Sequence, residues 1–347
     1  MEKKENVISK ASKPLISVIV TAYNRKTYLI SALTSIKNQN YPHNLFEVIV
    51  VKNFEDEETD RFIKDSGFAS LLVGEKSAGE MILLAFMKSK GVVICLLDDD
   101  DVFSNDKLDR VSHVFSEYPG CGYYHNHHSV IDENSVDIPF EVRDAPPESI
   151  WFENSDTFLS SFHKLSQFTP DFNLSSISVA RSVIENHLIE LSNMQAATDT
   201  TFMILGIDSD LGVYLDNRRL TRYRIHGSTS ATLNQENLAS GKSVEELMKR
   251  IVTLQFLYNS TRKLKLRRLI AQRLVESQLK MAVLCGVTTP TFRLKDLISF
   301  LESAVYQKQR YKGLLFIYYL LSRLNKELGR KMYLKDRFSR QKFNRIV

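Results

Sequence analysis

An α/β fold, with a parallel-rich sheet, flanking helices and a helical C-terminal region, is what this 347-residue sequence predicts. Three observations carry that expectation. Short β-branched apolar runs alternate with helical periodicity through residues 15–118, the pattern of a parallel sheet joined by right-handed crossovers. From about Ser243 onward the spacing is helical throughout. The charge also divides: residues 1–230 hold 22 Lys or Arg against 33 Asp or Glu, and residues 231–347 hold 24 against 8, which places a boundary near 230.

The elements follow in order. Residues 15–20 (LISVIV) read as a strand buried on both faces, ending in the polar loop TAYNR at 21–25. Leu29, Leu33 and Ile36 recur at helical spacing until Asn40-Tyr41-Pro42 stops them. FEVIVV (46–51) is a second strand, followed by the acidic loop NFEDEETD, and 71–73 is a third. A helix over 78–88 is expected to close at Gly91. VVICLL (92–97) is a fourth strand, and the run Asp98-Asp99-Asp100-Asp101 sits at its C-terminal end. A helix then presents Leu108, Val111 and Phe115 on one face, with Ser104 or Asn105 as its cap. Beyond Pro119 the pattern is irregular, with strands expected at 120–131 and 174–180 and a Pro-containing loop at 137–149.

Composition narrows the class. With 43% hydrophobic and 25% charged residues the chain is an ordinary core-forming protein. Three scattered cysteines argue against a disulfide scaffold or a zinc ribbon and fit a reducing cytosol. The opening MEKKENVISK has no apolar core of a signal peptide, and the apolar run at 314–321 is too short to span a bilayer.

In open α/β sheets ligands bind outside the carboxyl ends of the strands, where both TAYNR and the Asp run fall. Adjacent carboxylates there suit a hard divalent cation, Mn²⁺ or Mg²⁺, which takes one or two protein carboxylates and completes its shell with substrate phosphates. The spacing is not that of a calcium hand, which alternates its ligands around a glycine.

SVIVTAYNR, FEVIVVKN and KGVVICLLDDDDVFSNDKL, in that order, resemble the family-2 glycosyltransferases of GT-A fold. AATDTTFMILG (196–206) is similar to that family's acidic helix, and Tyr223-Arg-Ile-His-Gly227 to its closing strand signature. The likeness covers roughly 14–232, leaving an N-terminal tail at 1–13 and a basic helical region at 233–347. It implies an inverting transfer from a nucleotide-diphosphate sugar to a hydroxyl of a glycan or lipid-linked glycan. Thr21, Tyr23 and Arg25 would cradle the nucleotide, Asp98 and Asp99 would face the donor, Asp100 and His226 would serve the metal, and Asp199 would be the base. Where the family commonly shows an Asp pair after its second strand, this chain has Lys52 and Asn53, so Asn53 is the candidate for reading the base.

Read on its own residues, Asp199 is also a first-turn carboxylate favoured by the helix dipole, and His226 a surface histidine in a turn. Lys107 is a candidate support for the acidic loop. His125, His127 and His128 lack the Cys or HExxH context of a zinc site and read as structure or acceptor lining. Two alternatives stand beside the transferase: a nucleotidyltransferase, which wants a Gly-rich phosphate loop that TAYNRKTYL lacks, and an inactive nucleotide-sugar-binding protein, which would have lost the base or the metal ligand. The tail pairs an apolar-aromatic stretch at 311–324 with Lys326, Arg330, Lys331, Lys335, Arg337, Arg340, Lys342 and Arg345, so its expected roles are membrane-surface contact or packing on the acidic domain. The expected location is cytoplasmic, peripheral at the inner membrane face. No nucleic-acid module is recognised, and none is expected as partner.

Overall fold

The computed structural model describes residues 15–138, 146–227, 241–285, 291–306 and 310–346. The N-terminal tail, the junction at 232/233, and residues 228–232 of the closing segment lie outside them.

The sheet is built on β1 (Ile16–Ala22), with β2 (Phe46–Lys52) and β4 (Val93–Asp98) parallel on its two sides and β3 (Ala69–Leu72) parallel beyond β2. The other strands are β5 (Val102–Phe103), β6 (Cys121–Ile131), β7 (Ile150–Phe152), β8 (Ile177–Ala180) and β9 (Gly212–Arg224). Their order is β3-β2-β1-β4-β8-β6-β9-β5, with β7 on β9. The sheet is therefore mixed. β8 inserts antiparallel between β4 and β6, because it enters from a short 3₁₀ turn at Leu174–Ser176 and not from a crossover helix.

Strand alternation sends side chains to two apolar layers. Val18, Val20, Val48 and Val50 point to one, covered by α1 (Leu29–Lys37), α2 (Glu57–Asp65) and α4 (Lys107–Glu117) through Leu33, Ile63 and Val111. Ile19, Ile49, Val51, Ile94 and Leu96 point to the other, covered by α3 (Ala78–Lys88) and α8 (Thr198–Asp208). In the chain the short α5 (Ser155–Ser161), α6 (Arg181–Glu185) and α7 (Leu188–Ser192) fall between α4 and α8.

The C-terminal helices are α9 (Gly241–Ser260), α10 (Leu264–Cys285), α11 (Leu294–Tyr306), α12 (Arg310–Leu324) and α13 (Lys326–Ile346). Leu254 and Leu257 of α9 and Leu266, Ile270 and Leu274 of α10 join the same apolar layer as α3 and α8. A separate cluster, with Leu279, Phe300, Leu315 and Tyr333, binds α10 to the last three helices.

Three local expectations are corrected. The acidic stretch after β2 is not all loop: Asp56 accepts the Thr59 amide at 3.2 Å and caps α2, whose acidic first turn suits the helix dipole. α3 ends at Ser89, in extended conformation, before Gly91. Gly91 serves packing, since a Cβ there would lie 2.4 Å from the Ser17 amide nitrogen. α4 starts from Asp106, because the backbone of Ser104 is tied to Leu220 and that of Asn105 to Asn40.

Candidate active site

Parallel register sets Thr21 of β1 directly opposite Asp98 of β4, so the TAYNR loop and the Asp run leave the sheet side by side. They open into a cleft of about 650 Å³ lined by Thr21, Tyr23, Arg25, Asp98 and Asp99, and on its other walls by residues 75–78, 80–81, 192–193 and 195–198 with Glu246 and Lys249. Asn24 takes a left-handed φ of 54°, which Asn tolerates better than most residues. Its amide donates to Asn53 Oδ1 at 2.7 Å, and Asn53 Nδ2 donates back to Asn24 Oδ1 at 2.9 Å. Asn53 thus buttresses the loop and is not among the residues lining the cleft. Tyr23 is exposed and its hydroxyl donates to Glu75.

Arg25 sits on the acidic run. Its guanidinium pairs with Asp99, reaches Asp100 Oδ2 at 2.8 Å and lies 3.2 Å from His226 Nε2. His226 Nε2 is itself 3.0 Å from Asp100 Oδ2, with its ring tilted against Tyr28 at 4.9 Å. Asp101 Oδ1 accepts the Arg224 amide at 2.9 Å, and Arg224 Nε donates to the Asp100 carbonyl at 2.7 Å. Arg224 is fully buried over the Tyr28 ring, so it fastens the Asp run to β9.

Burial and crowding raise these carboxylates. Asp98 is pushed well above the usual range by burial and by the other three aspartates. Asp99 is pushed up to about 6, burial outweighing the attraction of Arg25, and Asp101 to about 7, mainly by burial. Carboxylate oxygens of Asp98, Asp100 and Asp101 lie within 4.8 Å of one another. Asp99 Oδ2 and Asp101 Oδ2 are buried with no hydrogen-bond partner among the described residues. This oxygen-rich set, with one imidazole nitrogen beside it, fits a hard divalent cation.

Asp199 stands in the first turn of α8, and Thr198 before it lines the cleft. Its Oδ1 accepts the Thr200 amide at 2.7 Å. Burial raises its pKa, opposed by the charge of Arg250 and reinforced by that of Asp171.

Residues 17–172 match the model described as Glycosyl transferase family 2. Just under half of the chain therefore matches a family-2 glycosyltransferase domain. An uncharacterized glycosyltransferase of Rickettsia bellii is 26% identical over 233 residues, covering 65% of this chain and 31% of that protein. The putative teichuronic acid biosynthesis glycosyltransferase TuaG of Bacillus subtilis is 24% identical over 149 residues, 41% of this chain and 57% of that one. The chain therefore spans about a third and just over half of these two relatives' lengths. In fold it resembles S. aureus TarS 1–349, with TM-score 0.56 at 12% identity and coverage of 93% and 91%. The mannosyltransferase PcManGT of Pyrobaculum calidifontis gives 0.51 at 12%, covering 91% and 89%. These likenesses establish the GT-A architecture of the glycosyltransferase domain.

Of the other residues the sequence singles out, Lys107 falls away from its expected role. Lys107 is wholly buried against the rings of Phe103 and Tyr124, and its ammonium meets Asn126 and the Ser176 carbonyl, not the acidic loop. Burial lowers its pKa to about 8. The histidines of β6 are buried and structural: His125 Nε2 lies 2.8 Å from the Phe172 carbonyl, and His128 packs on Phe172 and Tyr223. Burial pushes His125 and His128 down to about 3.

Several cleft residues escaped the sequence reading. Ser77 and Glu80 form a reciprocal cap at the start of α3, a spacing that is legible in the sequence. Lys249 and Glu246 come from α9 and have no local signal at all.

Proposed function

We propose that the chain is an inverting glycosyltransferase that moves a sugar from a nucleotide-diphosphate donor to a hydroxyl of a glycan or lipid-linked glycan. The observation that carries this reading is one cleft bordered by the TAYNR loop, the Asp98–Asp99 strand end and the start of the Asp199 helix. Relatives in sequence bear the name glycosyltransferase, and solved neighbours are described in complex with UDP-GlcNAc and with GDP-Man and Mn²⁺.

In this reading Thr21 and Tyr23 hold the nucleotide at the mouth of the loop, and Asp98 and Asp99 face the donor. Asp100 and His226, with neighbouring carboxylates, would hold a divalent cation, which when bound supplies positive charge to the leaving diphosphate. Arg25, held now on the same carboxylates, is placed to exchange them for a phosphate. Asp199 takes the proton of the acceptor hydroxyl as its oxygen attacks the anomeric carbon opposite the leaving group. A carboxylate made less acidic by burial is a better base for that step.

The activity is tested by calorimetry with UDP- and GDP-sugars, with and without Mn²⁺. Asp100→Asn should abolish Mn²⁺-dependent binding of whichever donor the native protein takes. Unchanged binding would remove Asp100 from the metal site. We further propose that the chain works at the cytosolic face of a membrane. A stripe of exposed apolar residues on α12 beside a basic C-terminus supports it.

A further inference from the structure

α9 lies outside the residues that match the family model, yet it reaches the segment that delivers Asp199. Thr253, 1% exposed, uses its whole hydroxyl. Oγ1 donates to the Lys249 carbonyl at 3.0 Å, and accepts the backbone amides of Gln195 at 3.1 Å and Ala196 at 3.3 Å. A threonine inside a helix ordinarily satisfies itself on the carbonyl one turn back. Here its remaining acceptor capacity is turned onto another segment.

That segment needs holding. Ala197 has a left-handed φ of 58°, and it precedes Thr198 and Asp199 at the start of α8. Such a conformation is disfavoured for an alanine and persists only where surrounding contacts over-determine it. Two amides fixed immediately before it supply that constraint. One turn earlier on α9, Arg250 Nη2 donates to Thr200 Oγ1 at 3.4 Å, on the far side of Asp199.

We infer that α9 is a clamp on the catalytic base, with Thr253 as a positioning residue that sets the backbone path into Asp199. The inference rests on the reading of Asp199 as the base. It makes the C-terminal region part of the active site, supplying order to the base as well as Lys249 and Glu246 to the cleft wall.

The test uses the full chain and follows release of nucleoside diphosphate from a UDP- or GDP-sugar, with water as acceptor. Thr253→Val keeps the shape and removes the acceptor. Its kcat should fall about tenfold to a hundredfold, in line with a base displaced by a fraction of an ångström, while the donor KM stays within about twofold. Thr253→Ser should recover most of the loss. Asp199→Asn runs in parallel: near-normal turnover there overturns the base assignment itself. With Asp199→Asn inactive, full kcat in Thr253→Val, or a change confined to KM, overturns the clamp alone. Hydrogen exchange on the native protein decides independently of any variant. The amides of Gln195 and Ala196 should exchange slowly, and fast exchange at both overturns the clamp.

Discussion

Asp199 is the residue whose chemistry can be read most directly as a pH dependence. As the proposed base it would act ionised, and burial raises its pKa, so the rate should fall as pH falls through a value above that of an ordinary aspartate. The charged groups facing it are Arg250 from α9, Asp171 from the chain before β8, and Arg273 from α10, which pairs with Asp171 at 2.5 Å. Arg250 favours the ionised form, so Arg250→Gln should move the acid limb of the kcat profile to higher pH. An acid limb unmoved, or moved down, would show that this charge does not reach the base. Asp199→Asn should remove the limb and lower turnover by about two orders of magnitude or more, with donor binding retained. Of the Asp run, the sequence makes the four charges visible but not their partners. That Asp101 is tied to the Arg224 amide, and Arg25 to Asp99 and Asp100, depends on residues that lie 123 and about 74 positions away in the chain.

Among the elements, α3 shows how tightly the cleft wall is built. Its second residue, Gly79, donates its amide to the Met194 carbonyl at 3.1 Å. A Cβ at Gly79 would lie 2.0 Å from the Leu191 carbonyl oxygen and 2.7 Å from that of Met194. Gly79→Ala must therefore push α3 away from residues 191–194, of which Ser192 and Asn193 line the cleft. The expected cost is about 1–3 kcal/mol in denaturant unfolding, together with weaker donor binding. An unchanged unfolding midpoint would mean that the two segments part freely. The helix itself was legible, since Ser77 and Glu80 spell its cap and its apolar spacing is regular. Its neighbour was not, because the approach of 191–194 is set by tertiary packing and leaves no local pattern. The same contrast holds for the sheet. The buried parallel strands β1, β2 and β4 announce themselves as apolar runs, whereas the strand expected within 174–180 shows its antiparallel place between β4 and β6 only through the strands it pairs with.

For the whole molecule, the question is what the charge division accomplishes. α9 and α10 share the apolar layer of the sheet, and α9 completes the cleft, so they pack on the acidic domain. α12 and α13 lie farther along. Residues 310–346 hold eleven Lys or Arg against two Asp or Glu. Ile317, Leu320 and Leu324 recur at i, i+3 and i+7 on α12 and are 49%, 47% and 87% exposed, while Leu315 and Tyr318 face the helical cluster. Among the described residues no helix is long and apolar enough to cross a membrane. An outward apolar stripe beside a cationic helix matches an anionic lipid surface, where each Lys or Arg contributes about 1 kcal/mol. The full chain should therefore float with phosphatidylglycerol-rich vesicles, less so at high salt, and not with phosphatidylcholine alone. The double variant Leu320→Glu, Leu324→Glu should lose flotation while keeping nucleotide-sugar binding, because neither side chain borders the cleft. Truncation before α9 would be a poor substitute, since it also removes Thr253, Arg250 and Lys249. If the full chain stays with the unbound fraction at low salt, the surface contact is excluded. The basic helices would then answer only to the acidic domain.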